Sequence, residues 1–255
     1  MHGNGNDFVV IDNLTSIKQI SKNQIIQMGD RKKGIGFDQL ITINPPKKPQ
    51  EDLHIRFFNA DGSEATMCLN GVRSVGAFVW DADLAPKKEL ILGTKSHSVR
   101  IKPAGLGQVR VMIDMPVQKD ILGIDLKFLK KCGVKNYHLI DAGNLHLLLF
   151  SANPQKSELT GLCEKLRRSK FFQAINISIY NRKGDTINLR TNEAGAGETL
   201  SCGSASAAVA SIFAKHSKNT TVVSKGGIIK IRITAKKFEM IGPAAFVCEG
   251  TWLKK

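Results

Sequence analysis

The chain has 255 residues, 37 of them Lys or Arg against 22 Asp or Glu, for a formal net charge of +15. With 42% hydrophobic residues it can bury a core without staples, which excludes a disordered chain, and no apolar run reaches the roughly 18–20 residues of a membrane helix. Five cysteines at irregular spacing, with no basic-then-apolar leader ahead of them, read as free thiols in the reducing cytoplasm rather than as a disulfide framework.

In chain order, the pattern predicts a strand at Asp7–Ile11, then a helix at Ser16–Met28 interrupted by Ser21–Asn23. Strands follow at Leu40–Ile43 and His54–Phe58, a compact helix at Asn70–Asp81, and a strand at Val109–Ile113. The second half opens with a short helix at Leu126–Lys131, a strand at His146–Phe150 and a short helix at Ser157–Leu166. Strands at Ile175–Ile179 and Thr186–Leu189 lead to a small-residue helix at Ser204–Lys215, and strands at Thr221–Val223, Ile228–Ile233 and Ala245–Glu249 close the chain. Strands rich in Val, Ile and Phe outnumber helices, which argues for a mixed α/β (α+β) fold rather than a doubly wound one.

The chain also repeats itself. Glu64-x-x-x-Cys68 and Glu198-x-x-x-Cys202 each precede a small-residue helix, Gly5-Asn6 and Gly143-Asn144 each open an apolar run, Gln39 and Asn176 each lie in a short strand, and Met115-Pro116 matches Gly242-Pro243. The pairs keep their order at a nearly constant offset. Two similar halves follow, residues 1–116 and 117–244, with a boundary near Pro116–Ile121 and a last strand, about 245–255, returning to the first half.

Chemistry concentrates at two of the cysteines. Polar turn residues lead into Cys68 and a Gly-rich turn leads into Cys202, each at a predicted helix start. Unpaired backbone N–H groups there bind carboxylates and stabilise a thiolate, so a cysteine in that place is expected to have a lowered pKa. Matching thiols in two halves imply a site between them. Cys132, Cys163 and Cys248 lack this context and read as buried small apolar residues. The six histidines, His2, His54, His97, His138, His146 and His216, show no metal-ligand spacing, so no metal is expected. The glycines near Gly195–Gly197 fit neither a dinucleotide fingerprint nor a P-loop. The basic clusters Arg31–Lys33, Lys47–Lys48, Lys130–Lys131, Lys236–Lys237 and Lys254–Lys255 are scattered, and two Trp and two Tyr offer little for base stacking, so no nucleic-acid partner is expected.

Several motifs together resemble the diaminopimelate epimerase family: Gly3-x-Gly5-Asn6-Asp7-Phe8, Gly34-Ile35-Gly36-Phe37-Asp38-Gln39, Phe58-Asn59-Ala60-Asp61-Gly62-Ser63, Cys68-x-Asn70-Gly71-x-Arg73, Gly143-Asn144-x-His146, and Gly195-Ala196-Gly197-Glu198-Thr199-x-x-Cys202-Gly203. The tail, Gly226-Gly227 through Gly242-Pro243-Ala244 to Glu249-Gly250, completes the resemblance over nearly the whole chain. It implies two pseudo-symmetric domains of mixed sheet wrapped around a central helix. It further implies a cofactor-independent epimerase, commonly a homodimer, that interconverts L,L- and meso-2,6-diaminopimelate on the lysine and peptidoglycan pathway. One of Cys68 and Cys202 would remove the α-proton as a thiolate while the other delivers a proton to the opposite face. Backbone N–H groups at Leu69, Asn70, Gly203 and Ser204 would hold the α-carboxylate. Asn6, Gln39, Asn59, Asn144, Asn176 and Glu193 would recognise the substrate's polar groups. Three positions depart from the family pattern: Leu69 and Leu145 replace a glycine and a proline, and Ala194 replaces the arginine that clamps the distal carboxylate. Arg73 and Arg190 are the basic residues nearest to take over that clamp. A related racemase for another amino acid, or a catalytically weak homologue with a binding role, are the alternative readings.

Overall fold

The computed structural model describes residues 1–14, 19–120, 126–234 and 237–253. The start of the helix expected at Ser16–Met28, Ile121 of the expected boundary, and Lys236, Lys254 and Lys255 lie outside them. The chain divides into two compact units, Met1–Val111 with Gly242–Lys255, and Met112–Ile241.

The first unit contains β1 (His2–Gly3), β2 (Asn6–Asp12), α1 (Lys22–Gly29), β3 (Gln39–Asn44), β4 (Leu53–Asn59), β5 (Glu64–Ala65), α2 (Leu69–Asp81), β6 (Leu90–Gly93) and β7 (Ser98–Pro103), and β8 (Gln108–Ile113) leaves it. The second holds β9 (Val117–Gln118), α3 (Leu126–Lys131), β10 (Tyr137–Asp141), β11 (Leu145–Phe150), α4 (Leu159–Leu166), α5 (Lys170–Gln173), β12 (Asn176–Lys183), β13 (Thr186–Glu193), β14 (Gly197–Thr199), α6 (Gly203–Ile212), β15 (Asn219–Ser224) and β16 (Gly227–Ile233), and β17 (Phe238–Pro243) leaves it. One pairing scheme serves both. In the first unit β2 runs parallel to β3, β3 antiparallel to β4, β4 antiparallel to β5 and parallel to β6, and β6 antiparallel to β7. In the second, β11, β12, β13, β14, β15 and β16 repeat those relations in that order. The mixed sheets and few helices are those of an α+β fold.

Each unit's helix is a core element because its residues are small or β-branched. Val72, Val75 and Val79 on α2 are fully buried, and Gly71 lets it close on the sheet: a Cβ there would lie 2.7 Å from Phe57 Cε1. On α6, Ala205, Ala207, Ala208, Val209 and Ala210 are all fully buried, and the helix touches β10 to β13, β15 and β16, so the sheet surrounds it. A second layer covers the outer face of β11 and β12, where Leu159, Cys163, Leu166 and Phe172 pack against Leu147, Ile177 and Ile179.

Several expectations are corrected. Ser21 does not interrupt a helix; it caps α1, accepting from the Gln24 N–H while the Gln24 side chain accepts from the Ser21 N–H. Residues 245–253 form no strand: β1, the strand Ala245 bridges to, is two residues long, and the ladder stops after the single bridge His2–Ala245. Cys248, on this tail, is therefore exposed, whereas Cys163 is buried and Cys132 half-buried against the core. The strands β6 and β10 were not anticipated, whereas β7 with β8 and β16 with β17 are the alternating hairpins leading to Met115-Pro116 and Gly242-Pro243.

Candidate active site

In the first unit the hairpin β4–β5 carries an ion pair, Arg56 to Glu64 at 2.8 Å, and four residues beyond Glu64 the chain reaches Cys68. Cys68 is the N-cap of α2, in an extended conformation, with its Sγ accepting from the Gly71 N–H at 3.4 Å. The same Sγ donates to Asn6 Oδ1 at 3.6 Å, and Asn70 Nδ2 donates to that oxygen at 3.4 Å. Asn6 Nδ2 is spent on Asp38 Oδ2 at 2.7 Å. Gln39 and Asn59 are register partners; Gln39 Nε2 donates to Asn59 Oδ1 at 2.9 Å and Asn59 Nδ2 to Ser63 Oγ at 3.0 Å. Gln39 Oε1 is buried without a hydrogen-bond partner. Leu69 is the first residue of α2 and is not among the residues with positive φ, so leucine is unstrained there.

The second unit repeats the design. Hairpin β13–β14 turns through Gly195 (φ 80°) and Gly197 (φ 79°), a geometry that side-chain-bearing residues rarely adopt. The glycines thus make a turn rather than a phosphate cradle. Arg190 and Glu198 pair across it at 2.7 Å, and Cys202, four residues on, is the N-cap of α6. Cys202 Sγ donates to Glu193 Oε2 at 3.4 Å and lies 3.4 Å from Ser204 Oγ. Thr199 Oγ1 donates to the other Glu193 oxygen at 2.6 Å, which fixes the carboxylate. Asn176 Oδ1 accepts from the Ala194 N–H at 2.9 Å.

Burial, and then the Glu193 carboxylate, push the Cys202 thiol well above its ordinary value. The Ser204 hydroxyl and the Ala205 N–H pull the other way and lose. This corrects the expected lowering: a helix N-terminus contributes only tenths of a kcal/mol to about 2 kcal/mol, less than desolvation of a buried thiolate beside an anion.

Sequence reading left one residue of this constellation off its list. His146, on β11, has no exposed surface, and its Nε2 lies 2.9 Å from Asn144 Oδ1 and 3.0 Å from Ser204 Oγ. Burial lowers its pKa to about 4, so the ring is neutral near pH 7. Asn144 Oδ1 can only accept, which places the proton on Nε2. Ser204 Oγ shares that one hydrogen with Asn144 and is left to direct its own hydrogen at Cys202. The sequence signal was the motif Gly143-Asn144-x-His146, whose asparagine immediately precedes β11.

Neither arginine considered for the distal clamp is available. Arg73 has no exposed surface and is hydrogen-bonded to Asn4 and Asn70, and Arg190 is held by Glu198 and by the carbonyls of Pro154 and Ser157. The structure thus gathers Asn6, Asn70 and Cys68, with the Gln39–Asn59 pair, in the first unit. In the second it gathers Glu193, Ser204 and Cys202, linked to Asn144 through His146, with Asn176 bound to Ala194.

The chain matches the family described as diaminopimelate epimerase over residues 1–119 and 138–247. It is 35% identical to the diaminopimelate epimerase of Azotobacter vinelandii strain DJ, covering 98% of this chain and 96% of that one. It is 34% identical to that of Legionella pneumophila strain Lens, covering 99% and 97%. Among solved structures it resembles a PhzF-family phenazine biosynthesis protein of Bacillus anthracis, with TM-score 0.70, 15% identity and coverage of 92% and 90%. It also resembles a hydroxyproline epimerase of Agrobacterium vitis, with TM-score 0.66, 12% identity and coverage of 97% and 89%. These two likenesses are of fold.

Proposed function

The chain belongs to the diaminopimelate epimerase family, a family of isomerases, and from that premise we propose that it interconverts L,L- and meso-2,6-diaminopimelate by proton transfer between Cys68 and Cys202. One observation carries this reading: the two thiols are the N-caps of α2 and α6, each four residues beyond an Arg–Glu hairpin, and each Sγ donates to a side-chain oxygen, Asn6 on one side and Glu193 on the other.

The chemistry needs one cysteine as thiolate and one as thiol. The thiolate takes the α-proton, the thiol gives its proton to the opposite face, and the two exchange protonation states in each turnover. Cys202, whose thiol is raised by burial and by Glu193, is the resting acid. Once it has given up its proton, the Ser204 hydroxyl, positioned by neutral His146, and the Ala205 N–H receive the thiolate. The first-turn amides of the two helices, at Leu69 and Asn70 and at Gly203 and Ser204, bind the α-carboxylate, because such groups lack an intrahelical acceptor. Gln39 Oε1, buried with no donor of its own, accepts from a substrate ammonium. Asn6, Asn59, Asn144 and Asn176 complete the polar recognition. No organic cofactor takes part, and the carbanionic transition state is stabilised by oriented amides. The enzyme acts in the cytoplasm as a homodimer, whose interface would cover the exposed Phe246, Val247, Trp252 and Leu253 of the tail.

A second reading, an epimerase for an amino acid without a distal carboxylate, is favoured by Ala194 together with the prior commitment of Arg73 and Arg190. The test of the first reading is conversion of L,L-diaminopimelate by the wild type and by Cys68→Ala and Cys202→Ala. Turnover by the wild type and a loss of at least about 100-fold in each variant, with circular dichroism unchanged, is the expected result. A wild type that ignores diaminopimelate but racemises a monocarboxylate from a substrate panel selects the second reading.

A further inference from the structure

One buried cation has so far been given no role. Arg73 lies on α2, five residues after Cys68, and has no exposed surface. A guanidinium in such a place is expensive to desolvate, and the surroundings are built to hold it. Its Nη2 donates to Asn70 Oδ1 at 2.8 Å and to Asn4 Oδ1 at 3.0 Å, and its Nε donates to the Pro243 carbonyl at 3.3 Å. Asn4 sits at φ 55°, a left-handed conformation that is strained for most side chains and here aims its amide at the guanidinium. Glycine at 242 leaves the space: a Cβ there would lie 3.0 Å from Arg73 Nε.

The network leads to the thiol. With its oxygen turned to Arg73, Asn70 presents its Nδ2 to Asn6 Oδ1, the atom that also accepts from Cys68 Sγ. The carboxylates nearby already have basic partners: Asp7 and Asp38 are paired with Arg31, and Glu64 with Arg56 and Lys95. His2, on β1, turns its Nδ1 to the Gly5 N–H.

We propose that Arg73 is the positioning residue for Cys68: through Asn70 it holds Asn6 Oδ1 as the acceptor of the thiol's hydrogen, and once that hydrogen has left, its positive charge, with the Gly71 N–H, stabilises the thiolate, making Cys68 the base and Cys202 the acid. The inference rests on the proposed role of Cys68 as a proton carrier. A charge acts over several ångströms in a poorly solvated interior, and the interaction is mutual. Burial lowers the pKa of Arg73 to about 10 while the ionised Cys68 holds it up, so the guanidinium stays charged at neutral pH. The step is a proton transfer only: Cys68 S–H releases its proton to solvent before substrate binds, and the thiolate then takes the α-proton.

The test is site-resolved alkylation of the full-length protein by iodoacetamide across pH, read by peptide mass spectrometry, in the wild type, Arg73→Gln and Arg73→Lys. Arg73→Gln is expected to raise the Cys68 midpoint by at least about one pH unit, a roughly tenfold loss of thiolate at neutral pH, with Cys202 unmoved. Arg73→Lys, which keeps the charge, should restore most of the shift. For epimerisation, Arg73→Gln should lower kcat more than it raises KM. A folded Arg73→Gln with a wild-type Cys68 midpoint overturns the proposal. If Arg73→Gln does not fold, the wild type decides: its native Cys68 midpoint must lie below that of the urea-unfolded chain, and a midpoint at or above it overturns the proposal. Alkylation needs no substrate, so a failure here is distinct from a failure to turn over diaminopimelate.

Discussion

Glu193 and Cys202 form the contact in which charge and burial are most closely matched. Glu193 raises the thiol's pKa and is also the acceptor of its proton. Removing the negative charge in Glu193→Gln therefore eases ionisation of Cys202. Its alkylation midpoint should move down by about one pH unit and still lie above the roughly 8.5 of a free thiol, because burial, the larger cause, remains. Epimerisation should nonetheless fall in the direction that uses Cys202 as the base, since without the Glu193 charge its thiolate is a weaker base. A midpoint that stays in place or rises contradicts the coupling. At this scale Cys68, Cys202 and Glu193 were legible, because polar turns run into thiols and the family resemblance implies a role for the glutamate. His146 stood in a family motif, but its role was not legible, because a single histidine in an apolar strand looks like core and its tie to Ser204 spans 58 residues of sequence. The height of the Cys202 pKa was illegible for a related reason, since the helix end is visible in sequence and burial is not.

At the scale of elements, each cysteine is placed by a hairpin and a helix. In the second hairpin, Arg190 and Lys225 hold the Glu198 carboxyl at about 2. A carboxyl lowered in the fold stabilises it fully above its unfolded value of about 4.3, and that stability is lost as pH falls toward the folded value. For Glu198, only 17% exposed, the stabilisation is on the order of 2–3 kcal/mol. Thermal melts should therefore show Tm dropping between about pH 4.5 and 2.5, and Glu198→Gln should start lower and drop less. A variant melting in parallel with the wild type contradicts this. Close packing of α2 gives a second expectation. Gly71→Ala places a Cβ 2.7 Å from Phe57 Cε1 and 3.0 Å from Ile41 Cδ1. The overpacking should cost about 1–3 kcal/mol, read as a lower urea midpoint, and an unchanged midpoint would show that α2 has room to shift. The helices and the long strands were legible from periodicity and small residues. Short strands such as β6 and β10 were not, because they owe their existence to neighbouring edges rather than to their own composition.

At the scale of the whole molecule, the repeated succession of pairings in the two units accounts for two similar thiol sites in one chain. The repeat was readable from four motif pairs. The Arg–Glu hairpins that accompany it became visible only in the structure, because ion pairs across a turn leave no periodic trace. The central claim, two monoprotic thiols sharing one α-carbon's proton, is tested most directly by the first turnovers of L,L-diaminopimelate in deuterium oxide. The account predicts solvent deuterium at the α-carbon of the meso product from the start, while the unreacted L,L substrate keeps its hydrogen. Product that retains the substrate's own hydrogen, or label appearing equally in both pools, would mean that a single base serves both faces and would contradict the account.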